Sequence, residues 1–493
     1  MSDAMPEPDR LWTVGTAPGI FPSISHGIAL FRRPLAFLNS LPARGDLVEI
    51  RLGPLRAWMV CHPELVHQML MDPRTFDKGG SQYDRLRALM GDGVVTCRQE
   101  GHRRQRTLLQ PDFRASRVAD YTELMGEGAE SVCRTWRAGQ RIDVSAAMMA
   151  LTTRVTSRVL LSDSLDDARA ARIRSALGTI VRGLFVRTVV PVDAPFRVPT
   201  PANRRYRRAV DRLHGIIDSV IAERRRGAPR DDVLGTLLAA ARDGGEDATV
   251  TEQEVHDQLI TLLITGVETT ALCMASAFSL LAQLPETERQ LHAEVDTVLA
   301  GGRRPGLDDL SRLTYTRSAV TETLRHSPPG WLFTRVTTRE TELAGCRLPR
   351  GATVLYSPYL LHHDPASFPD PELFLPERWL PGSERTTAAQ HRAMLPFATG
   401  SRKCIGDAFA MAEATVAIAT IAGHWRLRHP PGPVQQPRPA VTLGPRSLPM
   451  ICEPRSRTPV GTPPRARSLA PRTTVTSRTQ DPRTAGDNGV DDA

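Results

Sequence analysis

The segment Phe397-Ala-Thr-Gly400-Ser-Arg402-Lys-Cys404-Ile-Gly406 has the residue types to bind a metal through sulfur. Gly400 and Gly406 permit tight backbone turns, so a loop of this composition can bring a cysteine sulfur to a flat cofactor without side-chain clash. A helix is expected just after it; its first N–H groups, with Arg402 and Lys403 nearby, favour thiolate over thiol. An anionic sulfur donor suits iron. A single cysteine in a glycine-containing turn is more often a structural thiol, but here F-x-x-G-x-R-x-C-x-G sets five positions over ten residues.

Three further groups could serve such a centre. Thr265-Gly266-Val-Glu268-Thr269-Thr270 sets a glycine, an acid and hydroxyls in a stretch that is otherwise apolar. Gly266 lets the backbone approach a flat group, and a threonine hydroxyl can open a notch in the helix for water or dioxygen, although its commoner role is a bond back to the preceding turn. His102-Arg-Arg-Gln-Arg106 puts His102 and Arg106 one helical turn apart, within reach of one anion, while Arg103 and Arg104 face solvent. Glu322-Thr-Leu-Arg325 places opposite charges at i and i+3, a spacing that usually marks a solvated pair.

These residues need elements to hold them. Gly45–Gly53 and Ala57–Cys61 read as two short strands joined by a turn, and from His62 to about Pro285 helical periodicity dominates. One helix stands out. Thr251-Glu-Gln-Glu254 has the form of a capping box, and the helix it starts can run to about Gln283, some 32 residues or roughly 48 Å. Its middle is apolar nearly all round, which implies burial. After Pro328-Pro329 short strands and turns take over, and a last helix spans about Asp407 to His424. Beyond Pro430 the chain is rich in Pro, Arg, Thr and Ser, and residues 454–493 read as a disordered tail. Residues 1–24 read as a partly ordered segment, and 25–453 as one domain.

Apolar residues make up 41% of the 493-residue chain and charged residues 24%, enough for a large core. The net charge of +9 rests almost wholly on arginine, since Lys78 and Lys403 are the only lysines, and no aromatic residues interleave with the basic tail. Nucleic-acid binding is not expected from that pattern. Seven scattered cysteines form no C-x-x-C pair, and no N-terminal apolar run suggests a leader or membrane span. The expectation is a cytoplasmic, reduced monomer.

The cysteine segment resembles the haem-binding signature of the cytochrome P450 family, and the resemblance extends over about residues 17–450. It departs at Ala398, where the family often has Gly, and at Thr265, usually Ala or Gly. The resemblance implies a mainly α fold with a smaller β portion, and haem b as cofactor with Cys404 as its axial ligand. It implies propionate or haem contacts from His102, Arg106, Gly266, Arg335, Phe397, Arg402 and Gly406. Thr269 would deliver protons, with Glu268 as the acid behind it. Glu322 and Arg325 would join Arg378 in a network that locks the cysteine loop. The implied reaction is activation of dioxygen and insertion of oxygen into a C–H bond. No G-x-G-x-x-G turn is present for a flavin or nicotinamide. Electrons are therefore expected from a ferredoxin and its reductase, docking on a cationic face near Arg103, Arg402 and Lys403.

Expected pocket segments are the loop Phe76–Met90, Leu184–Val190, Leu262–Thr265 and Gly330–Phe333. They are mostly apolar and point to a hydrophobic substrate. Gly45-Asp-Leu-Val-Glu-Ile, His102-Arg-Arg-Gln-Arg, Pro201-Ala-Asn-Arg-Arg205 and Leu291-His-Ala-Glu-Val-Asp296 resemble actinobacterial terpene oxygenases of the pentalenene type. Hydroxylation of a polyketide, macrolide or fatty acid is the alternative within this class. A non-catalytic haem sensor is the alternative outside it, and Glu268 with Thr269 speaks against a mere haem binder.

Overall fold

The computed structural model describes residues 11–19, 21–189, 194–242, 250–383, 387–434 and 437–455. The expected tail lies outside them, apart from its first two residues. Helices dominate, with a smaller β portion, as the sequence implies.

Leu47–Leu52 and Leu55–Val60 form the expected antiparallel pair. They sit within a six-stranded sheet that runs Val14–Thr16, Leu47–Leu52, Leu55–Val60, Thr353–Tyr356, Phe333–Thr337, Phe76–Asp77. Residues far apart in sequence, such as Asp77 and Arg335, are thereby brought to one sheet edge, since Phe76 and Asp77 pair with Thr337 and Val336. The segment Phe76–Met90, expected as a loop, continues into a helix at Gly80–Met90. The period-3 and period-4 spacing of Tyr83, Leu86, Met90 fits that helix.

The long helix spans Glu252–Leu281, and 22 of its 30 residues are buried. It is long and apolar enough to cross a membrane, but its apolar window is mostly enclosed by protein. Helices Val144–Leu161, Pro201–Arg226, Thr314–His326 and Asp407–His424 pack around it. Only half of the expected capping box forms. The Thr251 hydroxyl accepts from the Glu254 N–H at 3.2 Å, while the Glu254 carboxylate binds Arg104 at 2.8 Å instead of turning back to the cap.

The buried polar groups of this helix hold a loop in place. Asp257 Oδ2 accepts from the Asp92 N–H at 2.8 Å, and Gln258 Oε1 accepts from the Val94 N–H at 3.0 Å. Gly91 and Gly93 make this approach possible, because a Cβ at either would meet Asp257 or Thr261 side-chain atoms within 2.3 Å. The segment Gly91–Thr96 is thus fixed against the helix.

Candidate active site

The last helix, Asp407–His424, begins three residues after Cys404 and is buried along most of its length. The loop before it is built on two residues with positive φ. At Gly400 (φ 72°) a Cβ would lie 2.6 Å from the Leu70 carbonyl oxygen, so only glycine fits. Ala398 has φ 57°, a left-handed conformation that an alanine holds at a cost of about 1–2 kcal/mol. Ala398→Gly should relieve that strain, less the extra entropy of an unfolded glycine. The expected result is a net gain of about 0.5–1 kcal/mol, seen as a higher urea midpoint at unchanged slope; a lower midpoint would remove strain as the account of this turn.

The Cys404 N–H donates to the Phe397 carbonyl at 2.9 Å, closing the loop on itself. Cys404, Phe397 and Gly406 all line one cavity of about 310 Å³. The exposed surface of Cys404 faces it. Nothing in the protein lies within 4 Å of a Cβ built on Gly406, so the missing side chain leaves room in the cavity rather than shaping the backbone.

The protein alone does not make Cys404 a thiolate. Burial pushes its pKa up, and the N–H of Gly406 with the charges of Arg106 and Lys78 only partly offsets that. Arg402 and Lys403, expected to act on the sulfur, are engaged elsewhere. Arg402 is 6% exposed and pairs with Asp77 at 2.8 Å; Lys403 pairs with Asp407 at 2.5 Å. A bound metal ion would supply the missing stabilisation, since a coordinating thiol is deprotonated outright.

The far side of the cavity is the long helix, where Leu262, Thr265, Gly266, Thr269 and Thr270 line it. The Thr269 hydroxyl donates to the Thr265 carbonyl at 2.9 Å, and that of Thr265 to the Thr261 carbonyl at 2.7 Å. Both threonines therefore weaken the backbone ladder over the cavity. Glu268 points away from it and accepts from the Thr442 hydroxyl at 2.8 Å. Burial raises its carboxyl pKa against the opposing pull of Thr442 and Arg446.

Positive charge gathers in one part of the cavity wall. Lys78, His102, Arg106, Arg335 and Arg402 all line it. His102 is lowered to about 3 by burial, then by Arg402, Lys78 and Arg106. Lys78 is lowered to about 7 by burial, then by Arg335 and Arg402. Arg335 is buried and, among the described residues, donates to oxygen atoms of neutral groups, Tyr83, Thr334 and Tyr356. With Asp77 committed to Arg402, this charge calls for an anionic ligand, and a flat group bearing two carboxylates would answer it. A sulfur donor facing the same cavity fits haem. Lys78 and Tyr83 lie within the expected pocket segment Phe76–Met90, but their place beside the cationic cluster was not foreseen, although one of two lysines among 63 basic side chains is itself an unusual choice.

A buried ion network reaches the segment before the Cys404 loop through His362, whose carbonyl accepts from Arg325 at 3.0 Å and whose Nε2 accepts from the Leu395 N–H at 2.9 Å. Glu322 and Arg325 pair at 2.9 Å and are both fully buried. Arg378 Nε stands 3.7 Å from Glu322, while its Nη2 donates to the Pro369 and Asp370 carbonyls. Trp379, not foreseen, donates its indole N–H to Glu322 at 2.7 Å. Arg325 also donates to the carbonyls of His362, Pro371 and Leu373, so all five of its guanidinium N–H groups are used.

The expected pocket segments hold only in part. Gly330 and Phe333 line the cavity, as do Val94, Val95, Thr156, Val159 and Leu160, which lie outside the expected segments. Of Leu184–Val190, none of Leu184 to Arg187 lines it among the described residues. Leu184 instead joins the main core.

A mainly helical fold with a thiol-bearing, cation-lined cavity beneath a long central helix defines a haem-thiolate oxygenase. The chain belongs to the cytochrome P450 family, whose model matches residues 7–450. It is 48% identical over 450 residues to cyclooctat-9-en-7-ol 5-monooxygenase of Streptomyces melanosporofaciens, covering 91% of this chain and 97% of that one. It is 46% identical to cyclooctatin synthase of the same organism, over 92% of this chain and 99% of that one. Pentalenene oxygenase of Streptomyces avermitilis is 42% identical over 89% and 96% of the two chains. The crystal structure of the cytochrome P450DA haem domain superposes with a TM-score of 0.80 at 24% identity, covering 91% of this chain and 99% of that one. The protein is a monooxygenase of this family.

Proposed function

We propose that the enzyme oxidises an unactivated C–H bond of a terpene, using haem b held by Cys404 and electrons from a ferredoxin with its reductase. The observation that carries the substrate class is the cavity wall on the side of the long helix. Val94, Val95, Val159, Leu160, Leu262 and Phe333 are apolar, and every charged side chain lining the cavity belongs to the cluster assigned to the cofactor or to the Cys404 loop. Such a wall suits a hydrocarbon skeleton better than an acid or an amino sugar. The named activities of the three Streptomyces relatives point the same way.

Haem supplies the activation of dioxygen when bound. His102, Arg106 and Arg335 would hold its propionates together with Lys78, while Arg402 acts through its bond to Asp77. Gly266 and Gly406 would give its faces room, and Phe397 would pack against it. Glu268, whose carboxyl pKa burial pushes up, is the acid behind the oxygen side and must turn from Thr442 to serve it, and Thr269 places a hydroxyl in the cavity one residue further on. For Thr269 to donate outward it must release the Thr265 carbonyl, a small rotation available to a hydroxyl.

The ferredoxin reading keeps an electrostatic dock without Arg402. Arg402 is buried, whereas Arg103, Arg104 and Lys403 are exposed, Arg104 paired with Glu254 and Lys403 with Asp407. Seven free cysteines support a reducing, cytoplasmic setting.

A panel of di- and sesquiterpenes, macrolides and fatty acids, titrated while the Soret band is followed, tests this reading. Terpenes should shift the Soret band and yield hydroxylated product. With the same terpene, Thr269→Ala should bind normally and release several-fold more hydrogen peroxide per product. Tight binding of a fatty acid instead would sink the terpene class, and unchanged peroxide would remove Thr269 from proton delivery.

A further inference from the structure

A second cluster of donor atoms lies outside the cavity, beside the buried ion network. One ring nitrogen each of His326 and His363 and a carboxylate oxygen of Glu372 lie within 4.8 Å of one another. We propose that His326, His363 and Glu372 form a site for a divalent transition metal, with zinc as the ion its donor set suits best.

Two imidazoles and one carboxylate are a donor set zinc uses, with a fourth position left to water. Donors about 2.1 Å from a tetrahedral ion stand roughly 3.4 Å apart, so the group must close by about an ångström. Glu372 is exposed, and its side chain is free to make that move.

The orientation of His363 favours coordination. Its Nδ1 lies 2.9 Å from the Tyr359 carbonyl, which can only accept, so Nδ1 carries the proton and Nε2 presents its lone pair. A ligand histidine is commonly oriented by such a bond. His326 Nδ1 lies 3.1 Å from Ser327 Oγ.

The three donors come from three separate segments, and Arg325 grips all of them. It directly precedes His326, and it donates to the carbonyls of His362, Pro371 and Leu373, each one residue from a proposed ligand. The network that tightens this region therefore also pre-positions the site. A metal ion would staple the same segments from their outer side, which couples its binding to the stability of the fold.

The test uses the haem-loaded full chain, stripped with chelator and titrated with zinc chloride by calorimetry. The wild type should bind one equivalent with micromolar or tighter affinity and melt a few degrees higher when saturated. Glu372→Ala, a change at an exposed position, should lose both effects, and His363→Gln should do the same if it folds. Glu340→Ala, at a comparably exposed acid elsewhere, should keep both. Absence of binding by the wild type, or the same stoichiometry and melting shift in Glu372→Ala, would overturn the proposal and leave a packed polar cluster. None of these readouts depends on the substrate or on oxygenase activity.

Discussion

Cys404→Ser is expected to abolish the red-shifted Soret band of the reduced carbon monoxide complex and to take oxygenase activity with it. The neutral hydroxyl of serine is a far poorer donor to iron than an anionic sulfur, and the electron donation that favours O–O cleavage goes with the sulfur. The fold should survive. Cys404 contributes its N–H to the loop through Phe397, a bond that serine keeps, and its side chain faces a cavity rather than the core. Circular dichroism should thus remain that of the wild type, while haem is bound weakly or through another donor. A variant that keeps the shifted band would remove Cys404 as the ligand; the other six cysteines are candidates only in principle, since none lines the cavity save Cys273 on the long helix.

Arg325→Ala is expected to have the larger effect on the protein itself. It removes five hydrogen bonds and leaves Glu322, fully buried, with its main counter-charge gone. Arg378 at 3.7 Å and the Trp379 indole offer partial compensation. Breaking a buried pair by removing one partner costs about 3–5 kcal/mol, a large part of the roughly 5–15 kcal/mol that holds a domain folded. The variant should accumulate as insoluble or haem-free chain at 37 °C. Arg325→Lys should rescue only slightly, because an ammonium offers three donors in place of a fixed fork of five. A soluble, haem-replete Arg325→Ala with an unchanged urea midpoint would show that this network has no structural role.

Much of this site could be read from local patterns. The cysteine loop, the Glu322–Arg325 pair and the acid–threonine step each lie within ten residues, so spacing alone carries them. The last helix, Asp407–His424, is found where apolar periodicity places it. What escaped depends on contacts between distant segments. Asp77 neutralises Arg402 across 325 positions, Thr442 reaches Glu268 across 174, and Lys78 enters the cavity through the pairing of Phe76–Asp77 with the strand Phe333–Thr337. A one-dimensional reading could count these charges but not pair them, which is why Arg402 and Lys403 were assigned to the sulfur and to a docking face.

The crowd of cations lining the cavity has a consequence for the life of the protein in the cell. Lys78, Arg106 and Arg335 repel one another until an anion arrives, with His102 held neutral beside them, so a chain without its prosthetic group carries uncompensated charge. Whatever neutralises that charge binds the native state alone and shifts the folding equilibrium in proportion to its free concentration over its Kd. A chain without its prosthetic group is therefore expected to melt below the loaded enzyme and to be cut sooner by proteases.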